Sequence, residues 1–114
     1  MPRFAVLAHD HPTPHWDLLL EAGPVLRSWR LPPGLLFGTP VPAQPAADHR
    51  LAYLDYEGPV SGDRGTVTRV DAGTFAWVRD EPDTLVVRLA AAGIAGVFTL
   101  SRTAGGWTAR LDPG

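Results

Sequence analysis

Apolar residues along this chain fall in short runs or alternate with polar ones, and most runs are closed by proline, glycine or aspartate. That pattern belongs to short strands separated by turns. Residues 4–9 form a brief apolar run that ends in polar residues, and Pro12-Thr13-Pro14 then breaks the chain, because prolines this dense suit a turn. Residues 15–22 read as a strand closed by Gly23-Pro24, with 25–31 as its antiparallel partner, since so short a link favours a hairpin. From 32 to 48, five prolines and two glycines leave no clear period, which predicts a long flexible surface loop, either functional or a tolerated insertion. Residues 49–56, 66–70, 74–78, 84–89, 96–102 and 107–111 read as further strands. Turns are expected at 58–65, 71–73, 80–83 and 105–106, and one helical turn at Ala90-Ala91-Ala92. About eight short strands at this spacing predict an all-β fold, a small antiparallel β-barrel with one long Pro-rich loop.

Composition sharpens this picture. The 114 residues suit a single domain, 1–114, able to bury a core without staples. With no cysteine, disulfides, thiolate catalysis and cysteine-based zinc sites are excluded. All ten basic residues are arginine, so Schiff-base chemistry and lysine-dependent phosphate loops are excluded too. A formal charge of −2 argues against gripping nucleic acid through charge alone. The first apolar run is too short for a signal peptide or a membrane helix, and a soluble, cytoplasmic protein is expected.

Three of the four histidines fall in His9-Asp10-His11-Pro12-Thr13-Pro14-His15-Trp16-Asp17. On a strand, residues two apart share a face, so His15 and Asp17 project together while Trp16 and Leu18 point the other way. His9 ends the preceding strand and is brought back by the proline turn. Two imidazoles and a carboxylate converging from adjacent strands suit Zn²⁺, Mn²⁺ or Fe²⁺ with positions open to water or substrate. His11 sits between turn residues and is assigned to the surface, although a His9-x-His11 pair also suggests a cupin-like metal enzyme, which would require His11 as a ligand. A second patch, His49, Leu51, Tyr53 and Asp55, would share one face of the expected strand at 49–56. Histidine exchanges protons near neutrality and tyrosine can bind an oxyanion. Taken alone, the patch is an edge strand with a histidine at its mouth. The four tryptophans are assigned to packing, with Trp29, beside the long loop, as the expected exception.

These motifs resemble a known family. Ala8-His9-Asp10, His15-Trp16-Asp17 and Val25-Leu26-Arg27-Ser28-Trp29 are similar to the pattern H-D-x4-H-x-D-F-R-L-E followed by V-L-K-S-W-x-x-P-K-G in the 3′-phosphoesterase domain of bacterial DNA ligase D. Asp48-His49 with Leu51 to Gly58 resembles its D-H-P-L-x-Y-x-D-F-E-G segment, and Gly65-Thr66-Val67 with Asp71 to Phe75 its G-T-V-x-x-W-D-x-G-T-W. The resemblance runs through nearly the whole chain in order. It implies a small β-barrel hydrolase of DNA end joining, a stand-alone homologue that removes a 3′-ribonucleoside or 3′-phosphate from DNA ends, or acts on another phosphate ester. It implies a divalent metal, Mn²⁺ first and Zn²⁺ or Co²⁺ as alternatives, held by His9, His15 and Asp17. His49 and Tyr53 would be catalytic, contacting the scissile phosphate. A monomer is expected, with ligase or polymerase functions supplied separately.

The departures from the family pattern are specific. Leu19 stands where the pattern has arginine, Pro33 where it has lysine, and Ala47 where it has an acidic residue. Pro42-Ala43-Gln44-Pro45 replaces an arginine-bearing strand. Arg27, Arg30 and Arg50 are the candidates to replace the missing phosphate-binding cations. The same losses motivate an alternative reading, a non-catalytic relative that binds DNA ends or a repair partner.

Overall fold

In a computed structural model, which describes residues 1–34 and 38–114, the chain forms nine antiparallel strands. They are β1 (Arg3–His9), β2 (His15–Ala22), β3 (Val25–Leu31), β4 (Val41–Arg50), β5 (Gly58–Pro59), β6 (Thr66–Glu81), β7 (Thr84–Ala90), β8 (Ala95–Thr103) and β9 (Gly106–Asp112). Eight of them run in the order β1-β2-β3-β4-β9-β8-β7-β6, and β6 returns to pair with β1. The result is a closed, barrel-like ring, with the two-residue β5 attached to β6. Closure removes most of the unpaired edge that an open sheet would expose.

Side chains alternate between the two faces of the ring. Phe4, Val6, Leu18, Leu20, Trp29, Leu31, Phe75, Phe98 and Leu100 fill the interior. Ala5, Leu7, Leu19, Leu26, Val67 and Leu54 form a second apolar cluster on the outer face. Burial on both faces explains why Phe4 to Leu7 and Leu18 to Leu20 read as unbroken apolar runs. The outer cluster is covered by a 3-10 helix, Leu51–Leu54, which follows β4 directly.

That helix corrects the expected strand at 49–56. The strand stops at Arg50, the chain turns through the 3-10 helix, and His49, Leu51, Tyr53 and Asp55 therefore do not share a strand face. The cause is tertiary: turning inward buries Leu54 against β1 and β2, and the turn is then held by Arg69, whose guanidinium donates to the Leu54 carbonyl at 2.9 Å.

The expected loop at 32–48 is also shorter than the composition suggested. Its second half is β4; residues 35–37 lie outside the described residues. Past Ala43 this strand pairs only with β3, so a nitrogen that faces outward loses nothing by belonging to proline. Being largely exposed, it carries alanine and proline instead of an apolar alternation.

Two expected strands, 66–70 and 74–78, are one. β6 runs on through Asp71-Ala72-Gly73, pairing first with β1 and then with β7. The Asp71 carboxylate accepts the amides of Gly93 and Ile94, each at 2.7 Å, and so holds the β7–β8 turn. Gly73 passes so close to the Ala90 carbonyl that a Cβ would overlap it. Both residues carry turn chemistry for tertiary reasons. At Ala91 to Gly93 the chain bends without forming the expected helical turn. Trp29 is a core residue, 5% exposed and edge-on to Trp107 at 4.8 Å, while Trp77 is the most exposed tryptophan, at 38%.

Candidate metal centre

The turn end of the β1–β2 hairpin builds the site. His9 and His15 are directly paired across these strands, and Asp17 lies two residues along β2 on the same outer face. The connecting turn contains a cis His11–Pro12 peptide and is pinned to β6, where Asp10 Oδ1 accepts the Thr66 amide at 2.7 Å.

Each imidazole is oriented by a peptide carbonyl. His9 Nε2 donates to the Arg64 carbonyl at 2.8 Å, and His15 Nδ1 donates to the Thr13 carbonyl at 2.8 Å. A carbonyl only accepts, so these bonds place the proton on the outer nitrogen of each ring and leave the inner one as a lone pair in the neutral imidazole. The inner atoms converge: His9 Nδ1 is 3.5 Å from Asp17 Oδ2, and His15 Nε2 is 3.2 Å from Asp17 Oδ1. One donor atom from each of the three residues lies within 4.8 Å of the others.

His15 and Asp17 are 5% and 4% exposed, and His15 Nε2 is buried without a hydrogen-bond partner. Two lone pairs aimed at a buried carboxylate repel it unless a metal ion or a proton sits among them. A nitrogen–oxygen donor set with carbonyl-anchored imidazoles is what a divalent ion requires. The three residues therefore fit a metal.

A cavity of about 420 Å³ opens beside this cluster. His9 and Asp17 line one wall, His49 and Tyr53 another, and Arg30, Arg50 and Arg64 also reach it. His49 Nδ1 donates to the Ala47 carbonyl at 3.0 Å, which directs Nε2 away from its own backbone. The His49 and Tyr53 rings meet edge to face at 5.4 Å, and Tyr53 meets Tyr56 in the same way at 5.6 Å. The strand periodicity assumed for His49 and Tyr53 was incorrect, yet the 3-10 helix brings them together. A smaller hollow of about 240 Å³ lies on the other side of His9 and His15, lined by Trp16, Pro33, Thr66 and Thr68.

The arginine candidates separate clearly. Arg27 belongs to the interior-facing register of β3, where its guanidinium pairs with Asp80 at 3.0 Å and lies 5.5 Å from the centre of the Trp77 ring. It does not line the cavity. Arg30 and Arg50 do. Arg64, which sequence reasoning missed, contributes its carbonyl to His9; a backbone acceptor in a turn leaves no trace in residue type.

His11 is exposed and outside the converging group, against the cupin-like reading. Glu57 accepts the Arg69 amide at 2.7 Å. The family-departure positions surround the site: Leu19 is fully buried in the outer cluster, Ala47 lines the larger cavity, and Pro33 the smaller.

The family described as the DNA ligase D 3′-phosphoesterase domain matches residues 7–108. The multifunctional non-homologous end joining DNA repair protein LigD of Mycobacterium tuberculosis is 36% identical over 111 residues, which is 90% of this chain and 15% of that protein. The multifunctional non-homologous end joining protein LigD of Mycobacterium bovis matches at the same 36% identity and coverage. The chain thus spans about 15% of the length of the curated relatives it matches.

Proposed function

The chain belongs to the DNA ligase D 3′-phosphoesterase domain family, and on that premise we propose that it is a metal-dependent phosphoesterase that clears 3′-phosphate or 3′-ribonucleoside groups from DNA ends in the cytoplasm during end joining. The observation that carries this reading is the pair of carbonyl-anchored imidazoles whose free nitrogens converge on Asp17. His9, His15 and Asp17 would hold the ion, with Mn²⁺ the expected metal. When bound, a divalent ion neutralises phosphate oxygens and activates water.

The remaining roles fall to the chain's own groups. His49 Nε2 holds or gives the proton at the leaving oxygen, as a general acid or base within a half-enclosed cavity. The Tyr53 hydroxyl donates to a phosphate oxygen as charge develops on it. The ring contact between them restricts the rotamers of both. Joining and polymerising activities would come from outside these 114 residues.

A 5′-labelled primer ending in a 3′-phosphate, incubated with the protein and Mn²⁺, is expected to become a 3′-hydroxyl primer, read as a mobility change on a sequencing gel. His15→Ala is expected to remove this activity, and its survival in that variant overturns the metal assignment. Leu19, buried where the family pattern has a cation, favours one second reading, a binding-only relative. Tight primer binding without turnover across Mn²⁺, Zn²⁺ and Co²⁺ would establish it.

A further inference from the structure

Arg30 lies directly opposite Asp17 in the β2–β3 register. Cross-strand partners keep their Cβ atoms about 5 Å apart on one face, so its side chain leaves the sheet beside the metal-facing carboxylate. It lines the same cavity as His9, His49 and Tyr53.

Its surroundings set it apart from other arginines of the molecule. Arg3, Arg27, Arg69, Arg79 and Arg110 each have a carboxylate partner within 4.0 Å, and Arg64 is bonded to Ser61. Arg30 has no such ion pair among the described residues, and its Nε is buried without a hydrogen-bond partner. Guanidinium is a pure donor that stays charged at every physiological pH. A buried, unpaired donor is costly to keep, and the side chain that carries it lines a cavity large enough for a phosphoryl group. Asp17 offers no relief in the described geometry, since its oxygens are turned toward the two histidines.

We propose that Arg30 is the catalytic residue that grips the phosphoryl oxygens of the substrate, and that it selects a terminal phosphate monoester. The planar guanidinium offers two parallel N–H donors, a match for two oxygens of a dianionic end group and a poorer match for an internal diester. The carboxylate across the strand and the cation beside it divide the labour: Asp17 faces the ion, and Arg30 faces the anion. This inference rests on the phosphoesterase reading, and its test separates the two.

Affinity for inorganic phosphate is measured by thermal shift at constant ionic strength, without metal, for wild type, Arg30→Ala, Arg30→Lys and Arg79→Ala. Arg79→Ala removes the same charge from a surface pair with Glu81. Arg30→Ala is expected to weaken phosphate binding about tenfold, Arg30→Lys to recover part of it, and Arg79→Ala to match wild type. Mn²⁺ affinity, followed by the electron paramagnetic resonance of the free ion, is expected to stay within about twofold in Arg30→Ala, because no ligand is lost. On a 3′-phosphate primer, Arg30→Ala is expected to lower kcat/KM by about 10²–10³. A wild-type protein that binds no phosphate, or an Arg30→Ala variant that binds it as well, overturns the proposal. An Mn²⁺ affinity that falls in step with phosphate affinity also overturns it, since Arg30 would then act through Asp17. Arg30-dependent phosphate binding in a protein that turns over no primer supports it while defeating the phosphoesterase reading.

Discussion

At the scale of single residues, the site depends on which nitrogen of each imidazole is committed to the backbone. That commitment was only half legible in the sequence. His9, His15 and Asp17 could be placed on one face by counting along two strands, because a hairpin leaves little freedom in register. The Arg64 carbonyl could not be found, since every residue has one. Arg27 and Arg30 looked equivalent in sequence, yet odd spacing puts them on opposite faces of β3. A separate residue-scale prediction concerns acid stability. The Arg3 guanidinium, hydrogen-bonded to Asp55 at 2.6 Å, holds that carboxyl below its usual range, with burial opposing and Arg69 assisting. A carboxyl whose folded pKa is depressed contributes stability above its unfolded value and loses it as pH falls through the folded one. Asp55→Asn should therefore lower Tm slightly at neutral pH, the pair being exposed, and the gap to wild type should close in acid. Thermal melts across that range check it.

At the scale of elements, the sequence misled where an element was defined by its neighbours. β4 hides behind prolines because it is largely exposed and half-paired, and the 3-10 helix hides within a strand-like alternation because Leu54 buries itself by turning. The apolar runs of β1 and β2 were legible because burial on both faces writes itself into composition. Leu19 belongs to this level. It lies fully buried beneath the 3-10 helix. Restoring the family's arginine there should not strengthen phosphate binding: Leu19→Arg puts an unpaired charge into an apolar cluster, at a cost of several kcal/mol. Chemical denaturation together with phosphate titration checks both halves of that expectation. Gly65 is the corresponding weak point of the site. Its φ is +77°, and a Cβ would overlap Asp10 and His11. Gly65→Ala should displace the turn that carries the Arg64 carbonyl and weaken Mn²⁺ binding more than tenfold, a loss of at least about 1.4 kcal/mol. Isothermal titration with Mn²⁺ measures it.

At the scale of the whole molecule, the ring separates packing from chemistry. Its interior is apolar, and the candidate site lies on the outer wall. The closed ring was foreseeable from strand number and spacing, whereas the side of the wall that carries the chemistry was not, because period-two alternation does not say which face closes inward. No helix among the described residues is long and apolar enough to cross a membrane. On the proposed function, the net charge of −2 bears on how a DNA end would be held. Among the described residues, Arg30, Arg50 and Arg64 are the only arginines that reach the cavity, so few phosphates can be neutralised at once. The logarithm of primer affinity should then fall with the logarithm of salt at a slope no steeper than about −3, shallow for a DNA-binding protein. Fluorescence anisotropy from low to moderate salt gives that slope directly.

The carbonyl that fixes His9 has a consequence for how the protein is dissected. A scan that truncates side chains one at a time leaves every peptide oxygen in place, so Arg64→Ala would pass as neutral at this contact while the residue's main chain still orients the His9 imidazole. The dependence becomes visible only when the main chain itself is altered. Replacing the peptide link between Arg64 and Gly65 by an ester makes that oxygen a poorer acceptor without removing any side chain, and it would free the ring to choose its other tautomer.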